Sequence, residues 1–317
     1  MAQTESPAPA AFFTDLSQFG LLRFSGQDAG SFLQGQLSSD VGSLQPLQAQ
    51  YGSYSTPKGR MLASFLLWRS AEAYYMQLPR SLCESICKRL AMFILRAKVT
   101  VEDASADHIL IGVAGAEAVT HLGARFGALP TQTLHLLQRE ASTILKLDSE
   151  RFEIIVPAAA ISELRDALTR QIAPSDPSAW DLLDIRAGIP YITPATQEQF
   201  VPQMANLDLI GGVSFSKGCY PGQEIVARMH YLGKLKQRMA LAHIATATAP
   251  QPGDKVFSQH LGDQASGMIV NAAPAPQGGY DALAVLQIES AAQNDAHWKT
   301  LDGPTLEFKP LPYKLPD

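Results

Sequence analysis

Helical periodicity disappears from this chain after about Arg238, and no other sequence feature limits its folds as much. Before that point apolar residues recur at both strand and helix spacing. Beyond it only short strand candidates remain, at 239–246, 255–259, 266–271, 282–288 and 305–308. Turn clusters separate them: Pro250-Gln251-Pro252-Gly253, Gln277-Gly278-Gly279 and Asp302-Gly303-Pro304. Short strands punctuated by Gly and Pro predict a small all-β barrel or sandwich. A boundary is expected near 237/238, dividing the chain into 1–237 and 238–317.

Strands and helices interleave in the longer region. Strands are expected at 20–24, 50–55, 61–69, 73–78, 109–113, 143–147 and 152–156. Thr56-Pro57-Lys58-Gly59 reads as a hairpin turn. Helices are expected from Ser25-Gly26-Gln27-Asp28, where the serine would cap the first turn, and from Ser81, with Glu84 closing a capping box, to about 95. Three more are expected at 116–126, 160–172 and 180–187, the last two separated by a break at Pro174, Asp176 and Pro177. Strands that can pair antiparallel, mixed with helices, predict an α+β fold rather than one doubly wound sheet. Residues 2–10 read as a loose tail.

Composition narrows the function. The chain has 317 residues, enough for two or three domains. Its net charge of −5 argues against a dedicated nucleic-acid binder, which needs a basic face to neutralise phosphates. Three cysteines are too few for a disulfide framework and fit a reducing compartment. There is no signal-peptide pattern and no run of eighteen apolar residues. The expectation is a cytoplasmic protein without a membrane partner.

Chemistry concentrates in one segment, Lys217-Gly218-Cys219-Tyr220-Pro221-Gly222-Gln223-Glu224, which follows the double glycine Gly211-Gly212. Pro221 is placed to begin a helix. A thiol just before a helix N-terminus, with Lys217 two residues away, is expected to favour the thiolate. Cys219 and Lys217 are therefore the candidate catalytic residues. A buried cysteine in a glycine-containing turn is the bland alternative.

This segment resembles the K-G-C-Y-x-G-Q-E signature of the YgfZ family, folate-binding proteins related to the aminomethyltransferase of the glycine cleavage system. The resemblance covers nearly the whole chain. It includes Gly26-Gln27-Asp28-Ala29, Lys58-Gly59-Arg60-Met61, residues 180–190 and 200–206, and Pro310-Leu311-Pro312-Tyr313. It implies two α+β lobes and a C-terminal barrel in a ring-like arrangement, with tetrahydrofolate in a central hole. It also implies a role in assembling or repairing iron–sulfur clusters, and thereby in tRNA modification through client enzymes that need such clusters. Direct nucleic-acid binding is not expected. The alternative is a tetrahydrofolate-dependent one-carbon transferase of the aminomethyl type, so classical enzyme status stays open. Tyr220 and Gln223 join the candidate folate-binding residues as members of the signature.

By the same resemblance Trp180 stands where the family has a folate-contacting tryptophan; anchoring a core helix is the other reading. A second such tryptophan is replaced by Gly20, leaving Phe19 as the nearest aromatic. Arg186 stands where the glycine-cleavage relatives have a glutamate that grips the pterin. A guanidinium cannot accept the pterin's N–H donors, so Arg186 is expected to meet a ligand carboxylate instead.

Other candidates are weaker. Cys83 and Cys87 lie one helical turn apart and read as core, with no zinc-type partner nearby. His230 reads as a surface residue. Gly112-Val113-Ala114-Gly115 is not a nucleotide-binding pattern. Lys58, Arg60, Arg96, Lys98, Lys234, Lys236 and Arg238 would attract a polyglutamate tail if they converged on the hole.

Overall fold

Alternation along the strand Phe19–Ser25 sends Leu22 and Phe24 to one face of a sheet and Phe19 and Leu21 to the other. The computed structural model describes residues 11–316; the tail expected at 2–10 lies outside them. The first sheet is antiparallel, in the order Ala49–Ser55, Met61–Arg69, Ala73–Pro79, Phe19–Ser25, Thr100–Asp103. Helices Ala29–Gln34 and Arg80–Ala91 cover its Leu22/Phe24 face.

The second sheet runs Ala173–Pro174, Phe12–Asp15, His108–Ala114, Arg151–Pro157, Ser142–Lys146, Leu136–Arg139. Helices Ala118–Phe126 and Ile161–Thr169 pack on its Ile111, Val113, Phe152 and Ile154 face. Its other face, with Leu110, Leu145 and Ile155, meets Leu21, Tyr51 and Leu66 of the first sheet. Phe12–Asp15 belongs to the second sheet although the strand after it belongs to the first, so the chain stitches the two together at its start.

The third sheet runs His297–Trp298, Lys255–Phe257, Ala265–Pro274, Tyr280–Gln287, Gln237–Ile244, Leu306–Lys309, all antiparallel. A bridge between His297 and Thr305 draws its two ends toward each other, and the sheet curls into a half-barrel. Met239, Leu241, Leu283 and Val285 pack against Leu182 and Ile185 of the helix Pro177–Arg186. That helix also sends Trp180 into the layer between the first two sheets. It is buried on several sides and ties all three sheets together.

Several local expectations change. Ser25 ends a strand and caps nothing; Asp28 precedes the helix Ala29–Gln34, and its carboxylate accepts the Lys98 backbone N–H at 2.7 Å. Glu84 closes no capping box, because it pairs with Lys88 one turn on and the helix starts at Arg80 after Pro79. Pro177 is not a break. It occupies the first turn of its helix, capped by Asp176, whose side chain accepts the Ser178 N–H. Strands Phe12–Asp15, Thr100–Asp103 and Leu136–Arg139 are too short to show a period. A five-residue helix, Ile288–Ala292, interrupts the all-strand C-terminal region. No helix among the described residues is long and apolar enough to cross a membrane.

Candidate functional site

The signature loop is anchored from both ends, and its cysteine is left outside. The Lys217 ammonium donates to the carbonyls of Gln34, at 2.5 Å, and Leu37, at 2.6 Å. These lie at and just past the end of the helix Ala29–Gln34, where carbonyls lack intrahelical partners and a cation is favourable. Burial lowers the lysine's pKa to about 8. The Tyr220 ring lies 5.0 Å from the ammonium and is itself buried, which raises its hydroxyl to about 12. Gln223 donates to the Lys217 carbonyl at 3.4 Å. Lys217, Tyr220 and Gln223 thus form one cluster, and Cys219 is exposed beside them.

At the other end, Gly222 has φ +83° and touches the early hairpin. A Cβ there would fall 2.5 Å from Gly59 Cα and 2.6 Å from the Thr56 carbonyl. Gly59, with φ +72°, supplies the matching surface at the tip of the turn Thr56-Pro57-Lys58-Gly59. Only two glycines allow this backbone-to-backbone contact. The close approach at Gly222 is therefore to another part of the chain.

The two groups expected to act on Cys219 are placed differently from the sequence expectation. Lys217 points its charge at two carbonyls. The helix is Gln223–Tyr231, so Pro221 lies before it and Cys219 is three residues ahead of the capping Gly222. What the structure gives Cys219 is access on a fixed loop. Cys83 is buried and Cys87 half-buried in the first core. No group of three or more His, Cys, Asp or Glu among the described residues is arranged to hold a metal ion. His230 stacks on Phe215 with centroids 3.7 Å apart.

The remaining candidates, Phe19, Trp180 and Arg186, gather elsewhere, around Ile189. Two cavities share that isoleucine. One, of about 290 Å³, is bordered by Phe19, Asp184, Ile185, Tyr191 and Asn271. The other, of about 520 Å³, is bordered by Tyr51, Arg151, Leu183, Arg186 and Pro312. Phe19 lies against Tyr191, centroids 4.6 Å apart. Arg186 reaches the half-barrel, its Nε donating to Asp281 at 2.8 Å, while Lys309 and His243 hold the other oxygen of that buried carboxylate. Cys219 borders neither cavity, and neither do the basic residues expected to converge there. Arg238, for one, is paired with Asp208 at 3.2 Å.

Trp180 is fully buried and lines neither cavity, so the ligand surface expected of it is closed. It lies on Gly112, where a Cβ would come within 2.5 Å of the indole. Its Nε1 has no partner among the described residues. Burying an indole of about 150–250 Å² contributes about 4–6 kcal/mol, against about 1–3 kcal/mol for the orphaned donor. Packing wins.

Sequence reasoning missed the charges between the two cavities. Arg151 donates to Asp184 at 2.7 Å and to Asp148 at 2.5 Å, and Gln77 donates to Glu153 at 3.1 Å. Arg151, Glu153 and Asp184 are all at most 5% exposed. Burial raises Glu153 to about 8 and Asp184 to about 6, the arginine opposing the shift in both. Glu153 Oε2 and Asp184 Oδ2 have no hydrogen-bond partner among the described residues. The signal was present in the strand Arg151–Pro157, whose alternate positions 151, 153 and 155 share a face. Two charges on that face read as solvent exposure, whereas the face lies between two sheets.

Known proteins place this geometry. The family described as the GCVT N-terminal domain matches residues 8–209. The tRNA-modifying protein YgfZ of Serratia proteamaculans (strain 568) is 32% identical over 95% of this chain and 92% of its own length. This chain belongs to the YgfZ family. The tRNA-modifying protein YgfZ of Colwellia psychrerythraea (strain 34H / ATCC BAA-681) is 33% identical over 80% of this chain and 78% of its own. The glycine cleavage system aminomethyltransferase T of Bartonella henselae superposes with a TM-score of 0.79 at 17% identity, covering 96% of this chain and 86% of that one. The YgfZ-family chain therefore shares the aminomethyltransferase fold, with mixed helices and strands. The segments that resembled the YgfZ family in sequence meet in space: Asn206 donates to Tyr313 Oη at 3.3 Å, and Tyr313 donates to the Gly188 carbonyl at 2.8 Å.

Proposed function

We propose that this protein is a folate-binding accessory factor that supports iron–sulfur cluster assembly or repair, and through it tRNA modification, with Cys219 as its reactive group. The observation that carries the reading is the contrast within the signature: Lys217, Tyr220 and Gly222 are buried, and Cys219 alone of its central residues presents a reactive atom to solvent. The fold shared with an aminomethyltransferase and the names of the relatives supply the folate and tRNA-modification parts. The three lobes are read as enclosing the ligand, with residues 1–237 carrying the folate site and 238–317 the half-barrel that closes it.

The cavities at Ile189 fit a reduced folate in chemistry. One has apolar walls with unpartnered acceptors, and the other carries Arg186. A bound tetrahydrofolate supplies a one-carbon carrier. Phe19, Ile185 and Tyr191 exclude water around its rings, and Arg186, already neutralised on one side by Asp281, keeps other N–H donors for a carboxylate. Cys219 meets the client on the outer surface. The cluster iron is cargo, held by fewer ligands here than a resident cluster requires.

Reconstitution tests this. Cys219→Ala is expected to fold and bind tetrahydrofolate like the parent yet fail to restore a cluster-dependent tRNA-modifying enzyme. Full restoration by the variant would remove Cys219 from the mechanism. The transferase reading draws on Asp184, a cavity carboxyl raised to about 6 and so suited to acid–base work. Turnover of tetrahydrofolate with a small amine donor would select it.

A further inference from the structure

Two short segments carry large apolar side chains into solvent, and the backbone holds both in place. After the helix Arg80–Ala91 the chain makes a succession of tight turns: Phe93 N–H donates to the Leu90 carbonyl at 3.0 Å, Ile94 to Ala91 at 3.1 Å and Leu95 to Phe93 at 3.1 Å. Ile94 packs on the first core and pins this turn. Met92, Phe93 and Leu95 face outward, Leu95 at 87% exposure. At the end of the helix Gln223–Tyr231, the Leu232 N–H closes on the Arg228 carbonyl at 2.9 Å. Tyr231 and Leu232 are left outside, Leu232 at 84% exposure. Six of the nine exposed large apolar residues among the described ones, Ile225 included, lie in these two segments. Single apolar side chains in water need no explanation, but clusters fixed by backbone mark a contact site.

Both segments connect rigidly to the signature loop. The helix Gln223–Tyr231 follows directly on Gly222. The turn at 92–95 leads to Lys98, whose N–H is held by Asp28 at the start of the helix Ala29–Gln34. The other end of that helix, about 9 Å away, holds Lys217. Charge is segregated in the same place. The whole chain carries −5, yet residues 88–98, 217–236 and the hairpin tip 56–60 packed on Gly222 together hold ten Lys and Arg against one acid, Glu224. Lys58, Arg96, Lys98, Arg228, Lys234 and Lys236 are exposed, and none forms an ion pair among the described residues. Asp28 and Asp40, the acids beside the helix Ala29–Gln34, commit oxygens to the Lys98 N–H and to Gln34 and Gly42.

We propose that these two apolar tips and the cations around them form a docking surface for an acidic, apolar face of the client protein that Cys219 serves. The inference rests on the function proposed above and adds to it the chemistry of the partner's surface and the residues that receive it. Unpaired cations around an apolar centre steer an acidic partner and fix its register. Met, Phe, Tyr and Arg are the residue types enriched where two proteins meet. A nucleic acid would match the charge but not the tips: bases stack on aromatic rings, and Met92, Leu95 and Leu232 would stay wet.

Calorimetric titration of the full chain with the apo form of a cluster-dependent tRNA-modifying enzyme tests the surface. Two double variants change exposed residues outside the site: Leu95→Glu with Leu232→Glu, and Lys234→Glu with Lys236→Glu. Each is expected to weaken binding of that enzyme about tenfold or more, with the melting curve and the tetrahydrofolate affinity of the parent retained. Added salt should weaken the parent's binding, and the lysine variant should lose most of that salt dependence. Unchanged affinity in either double variant would overturn the surface. So would variants that act instead on binding of bare tRNA, on binding of anionic lipid vesicles or on self-association of this chain. Reconstitution that requires Cys219 yet proceeds normally with both double variants would overturn the surface and leave the function standing. Reconstitution indifferent to Cys219→Ala would overturn the function, and the titration would still decide the surface.

Discussion

The signature loop and the wall between the two cavities handle their polar atoms in opposite ways. In the loop no fully buried side-chain nitrogen or oxygen among the described residues lacks a partner: the Lys217 ammonium is held by two carbonyls and the Gln223 amide by a third. The one reactive atom, on Cys219, is outside. In the wall the reactive atoms are inside. Glu153 and Asp184 are buried beside Arg151 with one oxygen each unpartnered. A loop built this way holds an exposed atom still, which serves contact with another macromolecule. A wall built this way stores unmet hydrogen-bonding capacity, which serves a small ligand. The difference is that stability and function are separable at the loop and entangled at the wall.

The largest expected effect falls on the wall. Asp184→Ala leaves the buried Arg151 with only Asp148 and should lower unfolding free energy by about 3 kcal/mol, measured by denaturant titration. A loss below about 0.5 kcal/mol would mean that the ion pair is dispensable and the contrast false. Next comes Gly222→Ala, which meets both a left-handed backbone and the Gly59 backbone 2.5 Å away. Its expected cost is about 2 kcal/mol, with faster proteolysis of the loop as a second readout.

Lys217→Met keeps the stem and removes the ammonium from two carbonyls; about 1–2 kcal/mol should be lost. An unchanged melting curve would show that the loop is not anchored there. Glu153 gives a pH test. Its carboxyl is raised by burial from 4.5 to about 8, so the unfolded chain loses this proton before the folded one does. The contribution is whole below the unfolded value and declines as pH rises toward the folded one. Stability of Glu153→Gln relative to the parent should therefore improve between about pH 5 and about pH 8. A constant difference across that range would place the carboxyl in water. The smallest effect on stability is expected for Cys219→Ala, within about 0.5 kcal/mol.

Much of the scaffold was legible because it follows local rules. The strands Ala49–Ser55, Met61–Arg69 and Ala73–Pro79 were found within a residue or two, since alternation and the Pro-Lys-Gly turn bound them on both sides. Pro177 was misread because a proline that starts a helix and one that breaks a chain look alike without the Asp176 cap in view. At the site, sequence singled out the signature loop but assigned its lysine to chemistry, when Lys217 and Gly222 both hold the loop to residues about 160 or more positions earlier. Arg151, Glu153 and Asp184 were invisible for a related reason. Nothing local distinguishes a charge facing water from one facing a second sheet.

The most direct measurement is site-resolved alkylation followed by activity. Brief treatment of the folded protein with a small alkylating reagent, mapped by mass spectrometry, should modify Cys219 first, Cys87 slowly and Cys83 only on unfolding. Cluster-dependent activity should fall in proportion to the label on Cys219 while the melting curve stays unchanged. Retained activity with Cys219 fully alkylated would contradict the assignment of function to that exposed sulfur.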